Sequence, residues 1–238
     1  IIIFFMFISG SNFILTYFAF TGKVKKFLQD EEFKAYFFVI FFSVIIVFSV
    51  LLSSVNLSDS SFNHPEVYGK FESSLRHAIF QVIAVVTTTG FVTGDFSVWS
   101  PFLTLLFFGL MFIGGSAGST SGGIKIVRHL IMIKSGILEF KRALHPNAIV
   151  RSRFNGSFLD QSIVYNIAAF FILYILLFAF GSLVFAYFGL DFMSSLGVSA
   201  ASLGNVGPAI GDFGPSFTYN ELPTGAKVWS SFLMLLGR

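Results

Sequence analysis

Long apolar runs separated by short polar intervals organise this chain. A membrane-crossing helix needs about 20 predominantly apolar residues. Ile1–Phe20, Ala35–Val55, Trp99–Gly115 and Ser162–Leu190 approach or reach that length, and one more run starts near Lys227 and continues to Arg238. Two shorter apolar stretches, Ser73–Val86 and Phe192–Leu203, are too short to cross and have the length of re-entrant helices. Each ends in a glycine-containing turn. Irregular backbone at membrane depth is tolerated only where protein buries it or water lines it. Two re-entrant helices that end in glycine turns therefore predict a pore.

The pattern also repeats. A spanning run (Ala35–Val55) precedes a short helix, Thr89-Gly90-Phe91, Gly94-Asp95-Phe96, Trp99-Ser100 and another spanning run. Further on, a spanning run (Ser162–Leu190) precedes a short helix, Val206-Gly207-Pro208, Gly211-Asp212-Phe213, Trp229-Ser230 and the last run. In both units Gly-Asp-Phe begins at the same offset from the turn glycine, so an internal repeat is expected. Ile1–Phe20 lacks the basic start and small-residue cleavage site of a signal peptide and reads as a truncated spanning helix. The chain begins and ends inside apolar runs without an initiator Met, as expected of a fragment.

Composition agrees with a membrane protein. Of the 238 residues, 55% are hydrophobic and 11% charged, against roughly 25% charged in soluble domains. Mean hydropathy is +0.82. The 35 phenylalanines read as lipid-facing and packing bulk, and the absence of cysteine excludes disulfides, thiolate metal sites and cysteine nucleophiles. Lys23, Lys25, Lys26 and Lys34 lie in one loop, and Lys125, Arg128, Lys134, Lys141, Arg142, Arg151 and Arg153 in another. These basic loops are predicted to share the cytoplasmic side. The opposite side carries Asp59, Glu66, Glu72, Asp95, Asp191, Asp212 and Glu221 against Lys70, Arg76 and Lys227. Both short helices enter from that acidic side, which would concentrate cations at the mouth.

A selectivity filter replaces the hydration shell of an ion with backbone carbonyls. Glycine permits the backbone angles that turn carbonyls toward an axis, and small or hydroxylated neighbours leave room for the ion. Thr87-Thr88-Thr89-Gly90 fits this description, and Gly204-Asn205-Val206-Gly207 fits it less obviously, with Pro208 stiffening its exit. The plainer alternative for each is an ordinary helix end capped by glycine. The run Gly114–Gly123 interrupts an apolar segment with glycine and serine too dense for a regular helix. It reads as an intramembrane loop, as a phosphate cradle ahead of Lys125, or as small residues for close helix packing. The cradle lacks the Gly-Lys-Ser/Thr ending and preceding strand of a P-loop. Arg238 follows a nearly uncharged helix that has risen only about 17 Å from Lys227. A charge at that depth is a functional candidate, the alternative being an interfacial residue that snorkels.

Thr87-Thr88-Thr89-Gly90-Phe91 after a short helix, Phe112-Ile113-Gly114-Gly115-Ser116-Ala117-Gly118-Ser119-Thr120-Ser121-Gly122-Gly123-Ile124-Lys125, and Met234-Leu235-Leu236-Gly237-Arg238 together resemble the TrkH/KtrB family of bacterial potassium transporters. The resemblance runs in order along nearly the whole chain. It implies an all-α membrane protein with four helix–pore helix–helix units around a central pore, each giving one filter segment with one key glycine. Residues 1–34 then correspond to the last helix of the second unit plus a cytoplasmic loop. Residues 35–158 correspond to the third unit, with a broken second helix and a basic cytoplasmic loop, and 159–238 to the fourth, truncated in its last helix. The potassium-binding filter implied here is Thr87, Thr88, Thr89 and Gly90 with Gly204, Asn205, Val206 and Gly207; many relatives carry a polar or bulkier residue at the place of Gly204. The implied gating loop contains Gly114, Gly115, Gly118, Gly122 and Gly123, with Lys125 and Arg238 as gate-associated charges. The resemblance further implies potassium as transported ligand without a covalent cofactor, a homodimer, a cytoplasmic nucleotide-binding regulatory ring, membrane lipids as surroundings, and the cytoplasmic (inner) membrane of a bacterium as location.

Other classes fit less well. A sodium-permeable relative and the channel-like subunit of a potassium-pumping ATPase share the ancestry. An intramembrane enzyme acting on lipid phosphates would need acids or histidines at membrane depth. His64, His77, His129 and His145 are dispersed and read as surface residues without metal-ligand spacing. The basic loop is explained by topology rather than nucleic acid, with anionic lipid or a protein partner as further roles. No step of the expected function needs covalent chemistry, so a non-enzyme is predicted.

Overall fold

The computed structural model describes residues 1–54, 70–145 and 152–238. Asp59, Glu66, His64, Arg151 and the end of the Ala35–Val55 run lie outside the described residues. Ten α-helices occur among those described: α1 (Ile2–Ser9), α2 (Phe13–Phe20), α3 (Val24–Gln29), α4 (Glu31–Ser54), α5 (Lys70–Val86), α6 (Pro101–Leu110), α7 (Ile126–Leu144), α8 (Gln161–Tyr187), α9 (Phe192–Gly204) and α10 (Thr224–Gly237). A small hairpin, β1 (Arg153–Phe154) and β2 (Ser157–Phe158), precedes α8.

Helices α4 and α8 are long and apolar enough to cross a membrane. Both expose rows of large apolar side chains, such as Phe38, Phe41, Phe42 and Ile45 on α4 and Ile172, Leu176, Phe180 and Leu183 on α8. Such rows suit a lipid-facing surface. Helix α5 packs on α4, and α9 packs between α8 and α10. Each group has its own apolar core, and the two meet where Phe112 packs against Tyr174 and Phe178. The expected repeat is therefore present as α4–α5–α6 and α8–α9–α10. After each short helix the returning chain is tied to that helix. His77 Nδ1 pairs with Thr93 Oγ1 at 3.0 Å and Gln81 Nε2 donates to the Gly94 carbonyl at 2.5 Å. In the second unit the Asp212 N–H donates to Ser194 Oγ at 2.9 Å.

Three segments differ from the sequence expectation. Ile1–Phe20, expected as one spanning helix, is bent by 118° between α1 and α2. The polar tetrad Ser9-Gly10-Ser11-Asn12 breaks it. Ser9 and Ser11 hydroxyls bond back to Met6 and Ile8 carbonyls, and Asn12 Oδ1 caps a new helix through the Ile14 and Leu15 N–H groups. Trp99–Gly115 contains only the ten-residue helix α6, followed by a tightened turn through Met111–Ile113. Most of the basic segment Lys125–Arg153, expected as a loop, is the 19-residue helix α7. Its charges share the helix with an exposed apolar row, Ile133, Ile137, Phe140 and Leu144, whose spacing is helical.

The two basic segments do share one side. Lys134 Nζ pairs with Glu31 Oε2 at 2.5 Å, and Asn155 Nδ2 donates to Asp30 Oδ2 at 2.7 Å. Asn155 (φ +48°) and Gly156 (φ +79°) form the hairpin turn, the conformation that Asn-Gly favours.

Close packing within the second unit depends on Gly197 of α9. A Cβ there would lie 2.6 Å from Ile210 Cγ1 and 2.7 Å from the Ile210 backbone nitrogen and oxygen. Gly197→Val should destabilise the full-length protein by about 1–3 kcal/mol, as overpacking does. Gly109→Ala, which meets nothing within 4 Å, should leave stability unchanged or raise it by up to about 1 kcal/mol. Thermal unfolding in detergent, followed by size-exclusion recovery, measures both.

Candidate functional site

The ends of α5 and α9 adopt the same irregular conformation. After α5, Thr88 takes φ +52°; its N–H bonds the Val85 carbonyl at 3.0 Å and the Thr89 N–H bonds that of Ala84 at 2.9 Å. After α9, Asn205 takes φ +54°; its N–H bonds Ser202 at 3.2 Å and the Val206 N–H bonds Ala201 at 3.0 Å. These paired bonds close a helix end in the Schellman manner. The left-handed position belongs to Thr88 and Asn205, however, and the glycines stand two residues further on. Gly90 (φ +76°) and Gly207 (φ +108°) are thus not the caps; each makes a second left-handed step. A β-branched residue at positive φ costs about 1–3 kcal/mol and persists only where its surroundings enforce it.

The two turns touch. A Cβ on Gly90 would lie 2.7 Å from the Val206 carbonyl oxygen, and one on Gly207 would lie 3.5 Å from the Gly90 Cα. Among the described residues, no hydrogen bond is donated to the carbonyls of Thr87, Thr88, Thr89, Gly90, Gly204, Asn205 or Val206. The Gly207 carbonyl accepts the Tyr219 hydroxyl at 2.7 Å, and Tyr219 packs against Phe213. Thr87 Oγ1 donates to the Ile83 carbonyl at 2.7 Å and lies 2.7 Å from Thr89 Oγ1, so these hydroxyls are held along the turn.

The glycine-rich segment Gly114–Gly123 lies against both turns. The buried Gly122 donates its N–H to Thr88 Oγ1 at 2.7 Å. A Cβ on Gly122 would lie 2.5 Å from the Gly204 carbonyl oxygen and 2.8 Å from Asn205 Cβ. The loop closes on itself where the Gly114 N–H bonds Ile124 at 2.8 Å and the Ile126 N–H bonds Gly115 at 3.1 Å. It is also seated on the α1–α2 elbow: the Ser116 N–H donates to the Gly10 carbonyl at 2.8 Å, and the Phe13 N–H donates to that of Gly118 at 3.3 Å. Gly118 itself is exposed beside Asn12, whereas Gly114 and Gly115 are buried.

Of the two charges singled out in the sequence, Lys125 folds back on the loop, donating to the Ser121 carbonyl and, at 3.4 Å, to that of Ser119. Arg238 is exposed at the end of α10. Just before it, Gly237 lies so close to the Leu203 carbonyl that any side chain would collide. His77 does not lie on the surface as expected: it is 3% exposed and packed edge-on against Trp99. His129 is half-buried against Phe171, and His145 is exposed. Three participants were missed from the sequence: the Gly10–Asn12 elbow, Tyr219, and Glu32, whose Oε1 accepts the Ala117 N–H at 2.5 Å. The Ser-Gly-Ser-Asn break in the first apolar run was a usable signal for the elbow; nothing local marks the other two.

A family model described as TrkH, a cation transport protein, matches residues 1–238. The Trk system potassium uptake protein TrkH of Vibrio parahaemolyticus is 35% identical over 237 residues, covering 98% of this chain and 46% of that protein. The protein of the same name from Escherichia coli K12 is 35% identical over 219 residues, 92% of this chain and 43% of its own length. The crystal structure of the potassium transporter TrkH from Vibrio parahaemolyticus superposes with a TM-score of 0.85 at 32% identity, over 99% of this chain and 48% of that one. The chain thus spans about half the length of the relatives it matches.

Thr88→Val keeps the shape of the first turn and removes the acceptor of the Gly122 N–H. A buried N–H left unpaired costs about 1–3 kcal/mol. Amide hydrogen exchange across residues 114–123 of the full-length protein should rise about tenfold, the equivalent of ~1.4 kcal/mol. Thr89→Val, whose hydroxyl pairs with Thr87, should leave exchange in that segment near the wild-type rate.

Proposed function

The chain belongs to the TrkH family of cation transport proteins, and from that premise we propose that the full-length protein takes up potassium through a filter of backbone carbonyls. The observation that carries the reading is the matched pair of turns, which meet at Gly90 and Gly207 and whose carbonyls accept almost no hydrogen bonds. Thr87, Gly204 and Val206 are buried, and buried backbone carbonyls are nearly always paired. A dehydrated cation is the partner that such carbonyls suit. The relatives are potassium uptake proteins by name, which favours potassium over sodium as the cargo.

In this reading Thr87–Gly90 and Gly204–Gly207 are two filter segments, in a third unit (35–158) and a fourth unit (159–238), and residues 1–34 close a second unit. The Gly114–Gly123 loop obstructs the path below the turns and moves to open it, with Lys125 and Arg238 placing positive charge beside it. Permeation needs no bond to form or break, so the protein acts as a transporter and not as an enzyme. Family resemblance supports a homodimer with a cytoplasmic nucleotide-binding ring in the cytoplasmic membrane of a bacterium. The basic side that carries α3, α7 and the hairpin offers that ring a docking face.

Expression of the full-length gene with its regulatory partner should restore growth at low potassium in a strain lacking potassium uptake. No rescue, with the protein confirmed in the membrane, would overturn the reading. Gly90→Ala should lower potassium flux or its preference over sodium by about tenfold, the equivalent of ~1.4 kcal/mol, because its Cβ would meet the Val206 carbonyl. Gly22→Ala is the control: Gly22 also has a left-handed φ (+82°) but meets nothing within 4 Å, and flux should not change. Isotope uptake into proteoliposomes reads both.

A further inference from the structure

One carboxylate is buried under the glycine-rich loop. Glu32, in the first turn of α4, is 5% exposed. Its Oε1 accepts the Ala117 N–H at 2.5 Å. Ala117 belongs to the first half of the loop, and α4, which carries Glu32, packs against α7, the helix that begins just beyond the loop's end.

The neighbouring acids are used elsewhere. Asp30 Oδ1 accepts the Phe33 N–H at 2.8 Å, and Glu31 pairs with Lys134. One turn further along the same face of α4, the Tyr36 hydroxyl donates to the Phe7 carbonyl at 3.0 Å and lies against Gly10. Residues four apart on a helix share a face. That face of α4 therefore holds both the loop, through Glu32, and the elbow on which the loop sits, through Tyr36.

We propose that Glu32 is the positioning residue of the gating loop, a single carboxylate that staples the loop to α4 and so keeps it beneath the filter turns. The proposal rests on the reading of Gly114–Gly123 as a gate. While the Ala117 N–H is bound, the loop cannot swing away without leaving a buried carboxylate unpaired, which is strongly disfavoured. Removing the carboxylate frees the loop and leaves the turns intact.

The test uses the full-length protein in proteoliposomes. Glu32→Ala should raise potassium flux about tenfold, the equivalent of ~1.4 kcal/mol in the closed-state preference, and Glu32→Gln should give an intermediate rise. The potassium-to-sodium ratio should not change in either. A cysteine placed at the exposed Thr120, in a background freed of other cysteines, should react faster with a cytoplasmic thiol reagent by a similar factor. Glu31→Gln, which breaks an outward-facing ion pair on the same helix turn, should alter neither flux nor labelling. Ala117→Pro removes one donor without touching the acid and should reproduce the Glu32→Ala behaviour; it decides the matter if Glu32→Ala fails to yield monodisperse protein. Wild-type flux and labelling in these variants would overturn the staple. If a variant lacking residues 117–121 nevertheless conducts more, the gate stands and only the staple falls. If that deletion also leaves flux unchanged, the gate falls with it.

Discussion

Backbone that leaves the helix at membrane depth has no water to pair with, so its polar groups must be satisfied inside the protein. The centre of this chain meets that demand by setting irregular segments against one another. The elbow between α1 and α2 offers the Gly10 carbonyl to the Ser116 N–H, and the loop offers the Gly122 N–H to Thr88. The loop is also tied to α4 through the Glu32 carboxylate, which accepts the Ala117 N–H. Among the described residues, the carbonyls left without a donor include those of Thr87–Gly90 and Gly204–Val206 on the two turns, the groups that the proposed filter would turn to a cation.

Such mutual satisfaction requires backbone to approach backbone, and this sets where side chains are forbidden. Gly204 lies against the Met111 carbonyl, with 2.7 Å left for a Cβ, and Gly122 lies against the Gly204 carbonyl, with 2.5 Å. The end of α6, the second turn and the loop thus stack with no side chain between them. Each glycine costs about 0.5–1 kcal/mol of chain entropy in a regular element. Here the cost is offset by hydrogen bonds and contacts that a larger residue would block. In α4–α5–α6 the helix after the turn stops at Leu110 and the chain resumes helix as α7. The break between them supplies the loop.

Much of this was legible in the chain. Run lengths alone separated the spanning α4 and α8 from the short α5 and α9, because a bilayer imposes a minimum length on any apolar helix. The matched Gly-Asp-Phe offsets identified the repeat, and the left-handed steps at Thr88 and Asn205 reproduce it bond for bond. The positions of lysine and arginine placed both basic segments on one side, where Lys134 meets Glu31. The errors have physical causes. Apolar content does not reveal a bend, so the α1–α2 elbow was hidden inside a run of sufficient length. Charge density does not exclude helix, so α7 was expected as a loop although its apolar residues keep helical spacing. His77 was expected at the surface because its partners, Thr93 and Trp99, lie beyond the turn and reach it only when the chain returns.

By itself the sequence determined the class of protein, the repeat, the sidedness and the positions where the backbone must leave the helix, since these follow from local composition and spacing. Tertiary structure decided what those departures bring together. A glycine turn in isolation is a helix end. It becomes half of a carbonyl cluster only because Gly90 and Gly207, far apart along the chain, are brought against each other. A glycine-serine run in isolation is flexible; it becomes a seated loop because Glu32, Gly10 and Thr88 bond it from three separate elements. Hydrogen-bond partners distant along the chain have no signature in local pattern, and here such partners set the geometry of the site.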